Sequence, residues 1–160
     1  MIRTILIDLD DTLYPRHLGI MDEIRALILR YLETRLNLPH DEADERRREY
    51  FEAYGTTMRG LQINHQIDTD EFLRYVHDIA LDEYLKPTPR LDAMLTSIPH
   101  DKVIFTNASR EHAERVLGLL AIRHHFSRIV DVRDVEYEGK PHPVAYRRVC
   151  EILGALPEAV

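Results

Sequence analysis

The segment Asp8-Leu9-Asp10-Asp11-Thr12 sets two carboxylates two positions apart where an apolar run ends. Like charges this close disfavour each other's ionisation unless a cation compensates them, and a divalent ion with oxygen ligands is the simplest compensation. In that setting one carboxylate can attack phosphorus while the other moves protons. The same residues also fit an acidic turn in which Asp11 caps a local bend. The segment alone leaves both readings open.

The elements around these acids decide how they would be held. Arg3 to Leu9 is nearly continuous in apolar character, which predicts a strand buried on both faces of a parallel sheet, with Asp8 and Asp10 at its C-terminal end. Ligand crevices of open α/β sheets form at that end. From Leu18 to about Arg35 the apolar residues follow helical spacing, and Asn37 and Pro39 end the run. A more polar helix is predicted from Asp41 to Tyr54, stopped by Gly55, and a third begins near Asp68, where Glu71 completes a capping-box pattern. Between them Tyr54 to Leu61 reads as a loop flanked by two glycines, with Arg59 offering a planar donor fork to a base or phosphate.

After Lys86-Pro87 the α/β pattern returns. Thr88 and Pro89 open a helix, Lys102 to Phe105 form the second strand, Ser109 caps the next helix, and a short strand lies near Arg128 to Val130. Pro143 opens the last helix. The predicted organisation is an α/β core from residues 1–14 and 87–160, interrupted by a helical insertion over residues 15–86.

Composition bounds the partners. Acidic residues exceed Lys and Arg by 28 − 21 = 7, which opposes binding to a nucleic-acid polymer. The basic run Arg46 to Arg48 follows Glu42 and Asp44 at four-residue spacing and reads as a solvated helix face. No stretch approaches the ~20 apolar residues of a membrane span, and neither a secretion signal nor a second cysteine beside Cys150 is present, so a cytoplasmic location is expected. The nine histidines show no metal-ligand spacing. His124 and His125 are adjacent and should point apart, while His112 and His142 read as surface or supporting residues, with His142 near the rim of the site.

Asp8-Leu9-Asp10-Asp11-Thr12, Thr106 at the end of the second strand and Lys140 in Gly139-Lys140-Pro141 resemble, in order, the first three motifs of the haloacid dehalogenase (HAD) superfamily. The resemblance implies a Rossmann-like parallel sheet core with an inserted helical cap. It makes Asp8 the nucleophile that forms an aspartyl-phosphate and Asp10 the acid and then base. Thr106 would bind the transferring phosphoryl group with Asn107 beside the substrate, and Lys140 would neutralise charge. Magnesium (Mg2+) would be held by Asp8 and by Asp10 through its backbone carbonyl. Asp10 favours the phosphatase branch, because the dehalogenase branch lacks that second acid. The insertion is similar to the cap of phosphoglycolate phosphatases and pyrimidine 5′-nucleotidases, and Tyr54 to Leu61 is similar to a segment of 5′-nucleotidase-like members. A small phosphorylated substrate, such as a nucleoside 5′-monophosphate, is therefore expected, with a non-catalytic HAD-fold binding or regulatory protein and a haloacid dehalogenase as alternatives.

The family's fourth motif, acids that complete the magnesium site, does not occur before Val160. The expectation is therefore a core whose C-terminal part is missing from these 160 residues, either a fragment of a longer polypeptide or a chain completed by another. The nucleophile strand would become an open sheet edge that invites self-association, and turnover by this chain alone would be weak.

Overall fold

The computed structural model describes residues 2–160 and divides them into two compact units, residues 2–18 with 80–160 and residues 19–79. These limits fall at 18/19 and 79/80, where the sequence pattern placed them at 14/15 and 86/87. The difference arises because the 3-10 turn Arg16–Leu18 and the short helix Leu81–Tyr84 both belong to the α/β unit.

The α/β unit is built on strands β1 (Thr4–Ile7), β2 (Asp101–Phe105) and β3 (Arg128–Val130), all parallel and ordered β1-β2-β3. Ile7 lies opposite Ile104, and Phe105 opposite Val130. All three strands therefore end at one edge of the sheet. Strand β2, paired on both sides, buries Val103, Ile104 and Phe105 almost completely. Strand β1 is only half-buried, contrary to the expectation of burial on both faces, because among the described residues it pairs with β2 alone. Its outer side borders an apolar groove of about 580 Å³ that includes Ile5, Leu6, Tyr146 and Cys150.

In the helical unit α1 (Ile20–Leu36), α2 (His40–Tyr54), α3 (Thr57–His65) and α4 (Thr69–Val76) follow in order. Helix α3 corrects the predicted loop. Thr56 accepts the Arg59 amide as N-cap, and the second glycine of the segment, Gly60, is an interior helical residue. A glycine is needed there for close approach: a Cβ at Gly60 would lie 2.3 Å from Cγ of Tyr50, whose ring is buried against α3. Gly60→Ala is therefore expected to cost roughly 2–3 kcal/mol by overpacking, despite alanine's better helix propensity. Urea denaturation of the variant checks this, and unchanged stability would mean that the α2–α3 packing is looser than drawn.

Asp68 caps α4 by accepting the amides of Asp70 and Glu71, but the expected capping box does not close. The Glu71 carboxylate turns instead to α1, where it accepts the Tyr31 hydroxyl at 2.6 Å and pairs with Arg35. The Tyr31 hydrogen bond, and after it Arg35, hold the Glu71 carboxyl below its ordinary value of 4.5. A depressed carboxyl stabilises the fold above its unfolded value and loses that contribution as pH falls through its folded value. Stability of this unit should thus decline from about pH 4.5 downward. Glu71→Gln should flatten that part of a pH-stability profile.

Helix α5 (Leu81–Tyr84) packs on α7 (Arg110–Leu119) in the α/β unit, where α6 (Pro89–Ser97) precedes β2. Helix α8 (Pro143–Leu153) sets Ala145 and Val149 on the sheet face formed by Val103, Phe105 and Val130. Among the described residues no helix is long and apolar enough to cross a membrane. On α2 the basic run is paired, Asp44 with Arg47 and Arg48 and Glu49 with Arg46, in place of the expected Glu42–Arg46 pair.

Candidate active site

The parallel register dictates what gathers at the C-terminal edge of the sheet, because the residues following β1 and β2 emerge side by side. Beyond β1 the chain turns sharply. Leu9 carbonyl accepts the amides of Thr12 and Leu13, and Asp11 adopts a left-handed conformation that aspartate tolerates better than most residues. The acidic turn is therefore present, with Asp11 at its bend. Leu9 and Leu13 are buried and anchor the turn, leaving the Asp8 carboxylate 47% exposed.

Lys140 meets Asp8 across 132 positions of sequence, with Nζ 2.6 Å from Oδ1, while Thr12 donates its hydroxyl to Oδ2 at 3.2 Å. The ammonium also donates to the Phe105 carbonyl and lies 5.1 Å from the centre of the Phe105 ring. Its backbone is held as firmly. Asn107 accepts the Lys140 amide through Oδ1 and donates Nδ2 to the Lys140 carbonyl, each at 2.8 Å. The side-chain amide expected to face substrate is thus spent, at least in part, on placing the lysine. Gly139 permits this contact, since a Cβ there would come within 2.8 Å of Asn107 Oδ1.

Thr106 follows β2 directly and is 1% exposed. Its amide donates to Val130 carbonyl and its Oγ1 accepts the Ala108 amide, which leaves the hydroxyl proton to be donated. The two carboxylates of the Asp-x-Asp pair are separated by their partners. Asp10 Oδ1 accepts the Tyr14 hydroxyl at 2.6 Å and lies 2.9 Å from His112 Nε2. Burial, reinforced by Asp10, pushes the Tyr14 phenol far above its usual range, so it stays a hydrogen-bond donor.

Of the two places expected for His112, surface or supporting, it takes the supporting one: it is buried at the first turn of α7, where its amide donates to the Ser109 hydroxyl. The sequence signal was the Ser109 cap, which fixes position 112 one turn into a helix that starts beside Thr106; the 102-residue separation from Asp10 hid the contact. Asp131, also missed, is buried just after β3 and accepts the amides of Arg110, Arg133 and Asp134, so it pins the start of α7. His142 caps α8 through Nδ1, with Glu138 3.7 Å away. Arg59 belongs to α3 of the helical unit, where its guanidinium donates to Gln62.

Magnesium prefers hard oxygen ligands and is commonly held by one or two carboxylates completed by water and substrate phosphate. The exposed Asp8 carboxylate has that character, whereas the Asp10 carboxylate is directed to Tyr14 and His112. Among the described residues, three metal-ligating side chains come together at Asp92, His124 and His125. The adjacent histidines, expected to point apart, converge: their ring centres lie 4.1 Å apart and both approach the Asp92 carboxylate from the 3-10 turn Arg123–His125.

The chain is 27% identical over 150 residues to "Phosphate metabolism protein 8" of Saccharomyces cerevisiae, an alignment covering 85% of this chain and 47% of that protein. The chain thus spans about half the length of that relative. Solved structures with a similar fold include the L-2-haloacid dehalogenase of Xanthobacter autotrophicus with chloropropionic acid covalently bound, with a TM-score of 0.53 and 19% identity over 98% of this chain and 67% of that one. The magnesium-bound HAD-hydrolase YfnB of Bacillus subtilis has a TM-score of 0.51 and 19% identity, over 94% and 72% of the two chains. At these identities the structures show a shared fold. Residues 2–160 match the haloacid dehalogenase-like hydrolase family, and with the parallel sheet and its C-terminal cluster in view, this chain belongs to that family of hydrolases.

Proposed function

We propose that this chain carries out magnesium-dependent hydrolysis of a small phosphomonoester. The observation that supports it most is the pairing of an exposed Asp8 carboxylate with the Lys140 ammonium, next to a second carboxylate held by its own donors. Asp8 attacks phosphorus as the ester P–O bond breaks, and Asp10 in its acid form gives the departing alkoxide a proton. Asp10, now a carboxylate, takes a proton from water as that water attacks the aspartyl-phosphate. Phosphate leaves and Asp8 is restored.

Lys140 offsets the charge gathered by nucleophile and phosphoryl oxygens, and the Thr106 hydroxyl donates to one of those oxygens. Asn107 acts through the lysine backbone. Asp8 would be among the residues holding a magnesium ion, which when bound would supply further neutralisation of the phosphoryl group. The name of the yeast relative accords with phosphate chemistry. Asp10 argues against the dehalogenase alternative, because halide needs no proton to depart.

The test is phosphate release with magnesium from a panel of small phosphoesters, including phosphoglycolate and nucleoside 5′-monophosphates. The latter are included because Tyr54 to Leu61 is similar to a 5′-nucleotidase-like segment. Halide release from 2-chloropropionate is run in parallel. Even slow turnover should leave a phosphoryl group on Asp8 after acid quenching. Halide release alone would favour a dehalogenase, and neither product nor labelled Asp8 would favour a binding protein.

His112→Leu probes the positioning of Asp10. It keeps the apolar bulk and removes one donor to the carboxylate, so kcat should fall about tenfold, equivalent to ~1.4 kcal/mol, with KM little changed. Steady-state kinetics across pH check it, since a purely structural role would leave the pH profile unmoved.

A further inference from the structure

We infer that Asp92, His124 and His125 form a second metal site, selective for a divalent transition ion of the zinc type. Its residues are separate from the Asp8 cluster. Asp92 projects from α6, and the two histidines come from the 3-10 turn that follows α7. That turn is held in place from both sides. Ile122 and Phe126 are buried, the amides of His125 and Phe126 bond back to Ile122 and Arg123, and Arg123 donates to both Glu114 and the Phe126 carbonyl. The ligand-bearing turn is therefore shaped before any ion arrives.

Neighbouring residues of a 3-10 turn project about 120° apart, so adjacent side chains ordinarily diverge. Here the two imidazoles lie with ring centres 4.1 Å apart, and both aim Nε2 at the same carboxylate oxygen. His124 Nε2 is 3.3 Å and His125 Nε2 2.7 Å from Asp92 Oδ1, and one ligand atom from each of the three residues lies within 4.8 Å of the other two. Tetrahedral zinc with bonds of ~2.0–2.1 Å places its ligand atoms roughly 3.3 Å apart. The His124 separation already has that value, and the His125 one needs to open by about 0.6 Å.

The donor set decides the class of ion. Two imidazole nitrogens and one carboxylate oxygen suit zinc, cobalt or nickel, whereas magnesium and calcium select oxygen. His124 is 64% exposed, so the site faces solvent and water can complete the coordination. An ion here would tie α6 to the turn after α7, in two parts of the chain more than thirty positions apart.

The experiment uses the whole chain stripped of metal, titrated with zinc chloride against a chromophoric chelator, and then with cobalt chloride for its visible spectrum. Asp92→Asn and His124→Ala alter exposed side chains and should keep the fold, which circular dichroism verifies. Removing a supporting residue outside the ligand set typically costs 10–100-fold in metal affinity, so losing a ligand should cost at least about 30-fold. His40→Ala, which removes the isolated His40–Glu33 pair, should stay within about twofold of wild type. Histidine side-chain resonances of His124 and His125 should shift on zinc binding, and excess magnesium should not displace the ion. Equal zinc affinity in wild type and both variants, no stoichiometric binding by wild type, or displacement by magnesium would each overturn the assignment, leaving a carboxylate hydrogen-bonded to two imidazoles.

Discussion

Asp8→Asn should reduce phosphate release by a factor on the order of 10³ or more, corresponding to over ~4 kcal/mol of lost transition-state stabilisation. The substitution is nearly isosteric. Asparagine can still accept from Thr12 or Lys140, so the turn after β1 keeps its shape, held as it is by Leu9 carbonyl and by buried Leu9 and Leu13. What disappears is the anionic nucleophile. Because the Asp8 side chain is about half exposed, its ion pair with Lys140 contributes little to stability, less than ~1 kcal/mol. The variant should therefore unfold at nearly the same urea concentration as wild type and carry no phosphoryl group after quenching. Turnover within tenfold of wild type would assign the chemistry to another residue. Asp8→Glu is the companion, because its extra methylene moves the charge by more than near-attack geometry tolerates and should be almost as inactive.

How far these side chains could be read from sequence follows the range of the interactions that place them. The strands and most helices were legible because their signals are local: apolar runs for β1 and β2, Ser109 and Pro143 at helix starts, Gly55 at a helix end. Helix α3 was not, because two glycines in eight residues read as a loop. Gly55 does end α2, but at Gly60 what overrides the low helix propensity is tertiary, the Tyr50 ring lying on it. Half-burial of β1 was missed for a related reason. An apolar strand looks the same in sequence whether it is paired on one side or both.

At the candidate site, the meeting of Asp8 and Lys140 was foreseeable only through a family resemblance, since 132 residues intervene. The supporting contacts had no local signature. Tyr14 could have been suspected from its four-residue spacing to Asp10, but His112 reaches Asp10 only because β1 and β2 are parallel neighbours and α7 starts where β2 stops. Asp131 likewise follows β3 without any local mark of burial in the sequence, yet it is buried and accepts three backbone amides. The convergence of His124 and His125 goes with a shared contact to Asp92, more than thirty positions away, which adjacency alone does not reveal.

Lys140→Met should lower kcat/KM by about 10² to 10³ while leaving the fold intact. Methionine preserves the length and apolar bulk of the stem beside the Phe105 ring, so the change isolates the charge. At an effective dielectric near 20, one unit charge ~4 Å from another is worth roughly 4 kcal/mol before desolvation, and the exposure of Asp8 reduces that figure by screening. The remaining ~3–4 kcal/mol is what a hundred- to thousandfold loss represents. Lys140→Arg separates charge from geometry. Its planar fork cannot reproduce an ammonium that donates both to Asp8 Oδ1 and to the Phe105 carbonyl, so it should recover only part of the loss. If the methionine variant instead kept full kcat/KM, the lysine would be a structural tether for the loop after β3. Asn107, which grips that lysine's backbone, would then matter for stability and not for rate.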